Sequence, residues 1–461
     1  QANMLCASRW VPRGVARAIF EEENEENDMV DSIKDGAEES DESSGEDEDN
    51  SGGDSDDGDG PVDISSVMKD DMAGMSYYRD NRDDRNLEQG GFYDDEEKDD
   101  LTFKPTDLPF VFIRASPDES QLELYVYDDD IESDDPNIFL HHEVHVPGMP
   151  ICVETCSYSG ISETPGNLAA VGISEVREGI IELWDLNRFE SIEPSMTLRG
   201  HKDAVMTISS HPQNPPVIAS GAADNTIKLW DLNKSKCTST LENHSANVQQ
   251  VAWHPTEEHL LLSASFSKKV LLTDVRSHKS KGSFKLSASV ERAVWTPSSV
   301  MTGMGIIATD ESGTMTAFDA RKPKASVWSV QAHKKAATAC SISAHVPGLV
   351  VSASEDKKMK VWDVSQDRPE MLSQISGLGC GAIFDAQLAI NDEHPLLVNI
   401  GGSKGVIKLL DLGVLRPREV FKHFKKSLPS GVRKRTKRRI SNASGDGSKG
   451  TITLEQDEDM D

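Results

Sequence analysis

"GHKDAVMTISSHPQNPPVIASGAADNTIKLWDL", residues 200–232, holds three short runs of alternating apolar residues separated by Pro-rich and Asp-Asn turns. Runs of this length and period read as three strands of one small antiparallel sheet. A sheet that small exposes two faces and two edges, so it is stable only when further sheets stack against it. The chain must therefore supply more copies of the unit.

It supplies them at a regular interval. The ending "IKLWDL" (227–232) recurs as "IELWDL" (181–186), "VLLTDV" (270–275), "MTAFDA" (315–320), "MKVWDV" (359–364) and "IKLLDL" (407–412), with Asp at 185, 231, 274, 319, 363 and 411. "LELYVYDDD" (122–130) adds an ending at Asp128, one longer step upstream. Upstream of the endings lie "NHSANVQQVAWHP" (243–255), "SASVERAVWTP" (287–297) and "AHKKAATACSISAHVP" (332–347). His201, His244 and His333 each stand 29 residues before Trp230, Thr273 and Trp362, and Ser220, Ser263 and Ser352 each stand four before Asp224, Ser267 and Asp356.

A period near 45 residues with a Trp-Asp ending resembles the WD-repeat family, whose unit is one four-stranded propeller blade. The resemblance implies an all-β fold, a seven-bladed WD-repeat β-propeller with a disordered acidic insertion and a basic C-terminal tail. It also implies buried hydrogen-bond chains of His201, Ser220, Asp224 and Trp230 in blade three, and of His333, Ser352, Asp356 and Trp362 in blade six. Blade four departs from the pattern at Ser267 and Thr273, and blade seven at Leu410. A buried His could serve as a base or a metal ligand; satisfying buried polar groups is the expected role here.

The innermost strand of blade one is missing just before "LPFVFIRAS" (108–116), and "CASRWVPRG" (6–14) supplies it, since Trp10-Val11-Pro12 matches Trp253-His254-Pro255 and Trp295-Thr296-Pro297. The expected organisation is then a first strand within 1–20, a disordered acidic insertion at 21–100, the propeller at 101–424 with "REVFKHF" (418–424) as its last outer strand, and a basic then acidic tail at 425–461. Loop-closure entropy grows slowly with length, so a ring tolerates such an insertion.

Charge is unevenly placed. The net charge is −31, but residues 21–100 carry 33 acids against 6 Lys/Arg, and 422–439 carry nine Lys/Arg and no acid. The acidic tract reads as a solvated spacer or as a polyanion mimic for basic clients such as ribosomal proteins or histones. Ser43, Ser44 and Ser51 each have an acid three residues on, the pattern an acidophilic kinase reads, and Ser441 follows Arg438-Arg439 as a basophilic site. The basic stretch, with Lys425, Lys426, Arg433, Lys434, Arg435, Lys437, Arg438 and Arg439, reads as a bipartite nuclear or nucleolar signal, an RNA-backbone contact, or both. Loops entering inner strands share a face with the turns between second and third strands. That face gathers Arg199, Lys202, Lys268, Lys269, Lys334, Lys335, Lys357 and Lys358 as candidate RNA contacts, with the acidic insertion leaving from the opposite face.

No Gly-x-Ser-x-Gly or His-Glu-x-x-His motif occurs, and "GLGCG" (377–381) and "GGSKG" (401–405) sit at blade turns rather than before helices, so no enzyme activity and no cofactor are expected. Cys152 and Cys156 have no second pair or His at ligand spacing, which argues against a metal. No apolar run approaches the roughly 20 residues of a bilayer span, so no membrane partner is expected. The order of features along the chain, from "RWVPRG" through the acidic insertion to the basic tail, resembles nucleolar WD-repeat proteins that assemble the large ribosomal subunit. That resemblance implies a non-enzymatic scaffold in the nucleus and nucleolus, bound to pre-ribosomal RNA and assembly factors. The alternatives are a histone-binding chromatin propeller and a substrate receptor of a cullin-based ubiquitin ligase, whose Asp-x-Arg is approached by Asp274 and Arg276 and by Asp319 and Arg321.

Overall fold

Every repeat ending closes a strand. In the computed structural model Asp128, Asp185, Asp231, Asp274, Asp319, Asp363 and Asp411 are each the last residue of the third strand of a four-stranded antiparallel sheet. In five of these the carboxylate Oδ1 accepts the amide two residues on: Asn187 (3.0 Å), Arg276 (3.0 Å), Arg321 (3.0 Å), Ser365 (2.8 Å) and Gly413 (2.8 Å). This Asx turn is the physical content of the repeated Asp, because it reverses the chain toward the outer strand.

The structure describes residues 4–12, 103–104, 107–116, 119–128, 137–158, 166–175, 178–187, 193–301, 304–323, 325–415, 418–442 and 451–454. Residues 1–19 and 103–461 constitute one unit, and the expected acidic insertion lies outside the described residues. Seven sheets form the blades of a propeller, with inner strands Met4–Trp10, Met149–Cys156, Val205–Ser210, Val248–Trp253, Val290–Trp295, Ala339–Ile342 and Ile383–Leu388. Second strands such as Leu108–Ala115, Leu260–Ser265, Gly305–Asp310 and Leu397–Gly402 are buried along their whole length, since each sheet is covered on both faces by its neighbours. Outer strands meet solvent, as the exposed residues of Lys279–Lys285 show.

Blade one closes the ring with the strand expected there. Met4–Trp10 pairs antiparallel with Leu108–Ala115, Trp10 opposite Phe110. Trp10 is 3% exposed, and its Nε1 donates to the Gln387 carbonyl of blade seven at 3.3 Å. Trp253 and Trp295 do the same to the preceding blade, donating to Ser209 O and Ala252 O at 3.2 Å each. One Trp staple thus recurs at three blade junctions. At the closing junction Ser8 also donates through its amide (2.8 Å) and hydroxyl (2.7 Å) to Asp385 Oδ2, Gln387 Nε2 donates to Ser8 O (2.9 Å), and Arg114 Nη1 donates to Gly405 O (2.9 Å).

The C-terminal segment differs from the sequence expectation. Glu419–Phe424 is a helix, α1, rather than the last outer strand, and Ser430–Asn442 forms a second helix, α2. The outer strand of blade seven is Thr451–Leu454, paired antiparallel with Ile407–Asp411, so the propeller extends beyond residue 424 and 425–442 is not a free tail. The reason is the apolar spacing. Val420, Phe421, Phe424, Leu428 and Val432 recur at helical intervals and are buried with Leu396 and Leu412, whereas a strand would have turned Val420 and Phe421 to opposite faces.

Candidate functional site

The His-Ser-Asp-Trp groups come together in both blades that keep all four. In blade three His201 Nε2 is 2.7 Å from Ser220 Oγ, His201 Nδ1 is 2.9 Å from Asp224 Oδ2, and Trp230 Nε1 is 2.8 Å from Ser220 Oγ. In blade six the corresponding distances are 2.8 Å from His333 to Ser352, 3.3 Å from His333 to Asp356, and 2.9 Å from Trp362 to Ser352. One proton assignment satisfies every atom: indole N–H donates to Ser Oγ, Ser O–H donates to Nε2 of a neutral imidazole, and Nδ1–H donates to the carboxylate. The order Asp-His-Ser is that of a nucleophilic triad. Here, however, Ser220 and Ser352 are 0% exposed and their oxygens already accept from Trp, so no substrate carbonyl reaches them.

Electrostatics agree with a capping role. Burial alone would raise the Asp224 carboxyl, but hydrogen bonds from His201, the Lys202 amide and Thr226 outweigh it and hold the group well below the ordinary carboxylate range. Burial holds the His333 imidazole below its ordinary value against the pull of Asp356. Because the folded-state value of Asp224 lies below the unfolded value near 3.9, its stabilisation is present above that pH and is lost as pH falls through the folded value. Asp224→Asn is therefore expected to cost about 1–3 kcal/mol at pH 7, the range for disrupting a buried charge-assisted hydrogen bond. Denaturant titration from pH 7 down to pH 3 should show that gap shrinking below about pH 4.

Blade four shows what loss of two members leaves. His244 Nε2 keeps its contact with Ser263 Oγ at 2.8 Å, while His244 Nδ1, Ser267 Oγ and Thr273 Oγ1 are buried without a partner. Burial, aided by Lys269, lowers the His244 imidazole to about 4.

The upper face, where outer strands pass to the next inner strand, is fixed by these chains. The Lys202 and Lys334 amides donate to Asp224 Oδ2 (2.9 Å) and Asp356 Oδ2 (3.3 Å) across the turns. Lys268 and Lys357 occupy left-handed turn positions (φ 62° and 64°) that blades five and seven fill with Gly313 and Gly405. Lys202, Lys268, Lys269, Lys334, Lys335 and Lys357 are exposed and Lys358 is half-buried, while Arg199 is engaged by Glu178 at 3.1 Å. This face is mixed rather than uniformly basic. Burial first, then Glu311, Glu355 and Asp310, push the Glu291 carboxyl up to about 7.

The lower face holds the basic helix, so exposed cations lie on both faces of the ring. Arg439 donates to Asp411 Oδ2 (3.0 Å) and to Tyr127 OH (2.6 Å), Arg435 donates to Glu393 O (2.8 Å), and His423 meets Asp363 at 2.6 Å. Lys425, Lys426, Lys434, Lys437 and Arg438 are exposed, and Arg433 is half-buried. Ser441 sits in the last turn of α2 with its hydroxyl donating to Arg438 O (2.6 Å), whereas Ser43, Ser44 and Ser51 lie outside the described residues. Arg321 turns back onto its own Asp319 at 2.8 Å, and Arg276 lies 3.8 Å from Asp274.

Polar residues inside the ring are not apparent from the repeat. Arg9 Nε meets Glu154 Oε2 (2.7 Å), Arg292 Nη1 meets Gln250 Oε1 (2.8 Å), and Arg292 Nη2 lies 3.8 Å from Asp385. Arg9, Glu154, Gln250 and Gln387 line a cleft of 420 Å³ bordered by Trp10, Pro12 and Pro212. The sequence signal is charge at inner-strand positions that otherwise alternate apolar residues. Cys152 and Cys156 are buried free thiols, and burial raises Cys152 to about 12. No helix among the described residues is long and apolar enough to cross a membrane.

Comparison with known proteins agrees with this geometry. The WD domain, G-beta repeat model matches residues 192–231, 235–274 and 324–363. The chain is 29% identical to periodic tryptophan protein 1 homolog of Drosophila melanogaster over 59% of its length and 60% of that protein, and 29% identical to periodic tryptophan protein 1 of Saccharomyces cerevisiae over 72% and 67%. An uncharacterised WD repeat-containing protein of Schizosaccharomyces pombe is 28% identical over 69% and 64%. The chain thus spans about three fifths to two thirds of the length of these relatives.

Proposed function

We propose that this chain, which carries WD40 repeats, is a non-enzymatic nucleolar scaffold in biogenesis of the large ribosomal subunit, binding pre-ribosomal RNA and assembly factors within pre-ribosomal particles. The observation that carries the reading is the 29% identity to periodic tryptophan protein 1 of two organisms, over 59% and 72% of the chain, together with the order of features that resembles nucleolar large-subunit assembly proteins. The sealed Ser-His-Asp groups favour a scaffold over a hydrolase, and the Arg321–Asp319 pair speaks against Arg321 as a free anchor for a cullin adaptor. The basic stretch 425–439 is the proposed nuclear and nucleolar address. The acidic tract is the proposed contact for ribosomal proteins or histones, and Ser43, Ser44, Ser51 and Ser441 are proposed phosphorylation sites.

Affinity purification of the tagged protein from cells, followed by sequencing of bound RNA and mass spectrometry, tests the reading. Precursor of the large-subunit RNA with assembly factors is the expected result; histones without ribosomal precursor would favour the chromatin propeller, and a cullin adaptor would favour the ligase. The upper-face lysines are the proposed RNA contacts of the ring itself. Reversing Lys202, Lys268, Lys334 and Lys357 to Glu should lower the slope of log affinity against log salt by roughly 0.7–0.9 for each contact in use, to a ceiling of about 3. Unchanged melting is the control, and the same reversal at Arg276 and Arg321 should do much less.

A further inference from the structure

We propose that helix α2 and the turn preceding it form a phosphate-binding surface for RNA on the lower face of the ring. The proposal rests on the reading of the chain as a ribosomal RNA-binding scaffold and assigns that contact to a folded element. Residues 422–439 hold nine Lys/Arg and no acid, and the structure divides these cations into two sets. Arg439 is committed inward, donating to Asp411 and Tyr127 and lying over the Tyr127 ring at 5.9 Å. Arg435 reaches the Glu393 carbonyl, and Val432 and Thr436 are buried beneath the helix. These contacts fix the rotation of α2 against blades seven and one.

The second set is turned outward. Lys434 and Lys437 stand three positions apart and are exposed, as are Lys425 and Lys426 in the turn after α1. Among the described residues none of these four makes an ion pair. On a helix, residues three apart hold their Cβ atoms about 5–6 Å from one another, so Lys434 and Lys437 present their ammonium groups on one side of α2. An ammonium group donates without accepting, which suits phosphate oxygens and is indifferent to base sequence. Carboxylates lie on both faces: Glu291, Glu311 and Glu355 stand near the upper-face lysines, whereas on the lower face Asp411 and Glu393 pair with Arg439 and Arg435 and leave the four lysines unengaged.

Phosphate contact at the four lysines leaves α2, the buried Val432 and Thr436 and the contacts of Arg439 in place.

The test uses the full chain with a ribosomal RNA hairpin as probe. Replacing Lys425, Lys426, Lys434 and Lys437 by Gln should lower the salt slope by about 3, at roughly 0.7–0.9 per lost phosphate contact, with no change in melting because all four side chains are exposed. Asp411→Asn combined with Tyr127→Phe, which loosens Arg439 without touching the four lysines, should weaken binding several-fold. An unchanged slope in the quadruple variant overturns the proposal, and so does undiminished binding by the loosened variant. Failure here is separable from failure of the assembly role. A quadruple variant that binds the hairpin like wild type yet still enters large-subunit precursors removes only this surface, whereas absence of such precursors from wild-type purifications removes the role.

Discussion

Trp10→Ala is expected to lower stability by about 3–5 kcal/mol, the range for deleting a buried aromatic side chain. Its indole is 3% exposed, packs against Phe110 with ring centroids 5.1 Å apart, and donates to the Gln387 carbonyl of the neighbouring blade. Trp253→Ala removes the same staple from the junction of blades three and four and provides the comparison. Both substitutions should shift the denaturation midpoint by similar amounts. Hydrogen exchange at residues 5–12 supplies a second readout, since a strand paired with Leu108–Ala115 should protect its amides as other inner strands do. An unmoved midpoint for Trp10→Ala, with rapid exchange, would mean that the ring does not need this strand.

Asp385→Ala should cost a comparable 3–5 kcal/mol, because removing one member of a buried charged network leaves its partners uncompensated. The carboxylate is 3% exposed, accepts two hydrogen bonds from Ser8, and lies 3.8 Å from Arg292. Asp385→Asn keeps one acceptor and should cost distinctly less. Trp10 and Asp385 flank the same strand contact at the closing junction, so the double variant should fall short of the sum of the two single effects. Equilibrium denaturation of the four proteins checks this; strict additivity would show that the two groups stabilise separate units.

The ring was legible because its key contacts are local and repeated. The Asp that ends each third strand serves a turn two residues long, and His201, Ser220, Asp224 and Trp230 lie within one repeat, so spacing alone reveals them. Even the displaced first strand could be read, since Trp10-Val11-Pro12 repeats the slot of Trp253 and Trp295, and the Val11 amide meets Pro109 O at 3.0 Å as His254 meets Leu260 O at 2.9 Å. The network joining Ser8 to Asp385 was not legible, because its partners are 377 residues apart and no local pattern links them. The C-terminal segment is less legible because dense Lys and Arg and the Pro429 break interrupt the helical spacing of Val420, Phe424, Leu428 and Val432. Thr451–Leu454, only four residues long, is too short to stand out beside the expected strand at 418–424.

Ultraviolet crosslinking of the protein to RNA in growing cells, with crosslinked peptides and RNA fragments both identified, tests most directly the proposal that this propeller works on RNA of the large-subunit precursor. The expected result is RNA fragments from that precursor joined to peptides of the basic helix region 422–442 or of the upper-face turns. Crosslinks confined to other RNAs, or a protein that crosslinks to no RNA while remaining bound to histones, would contradict it.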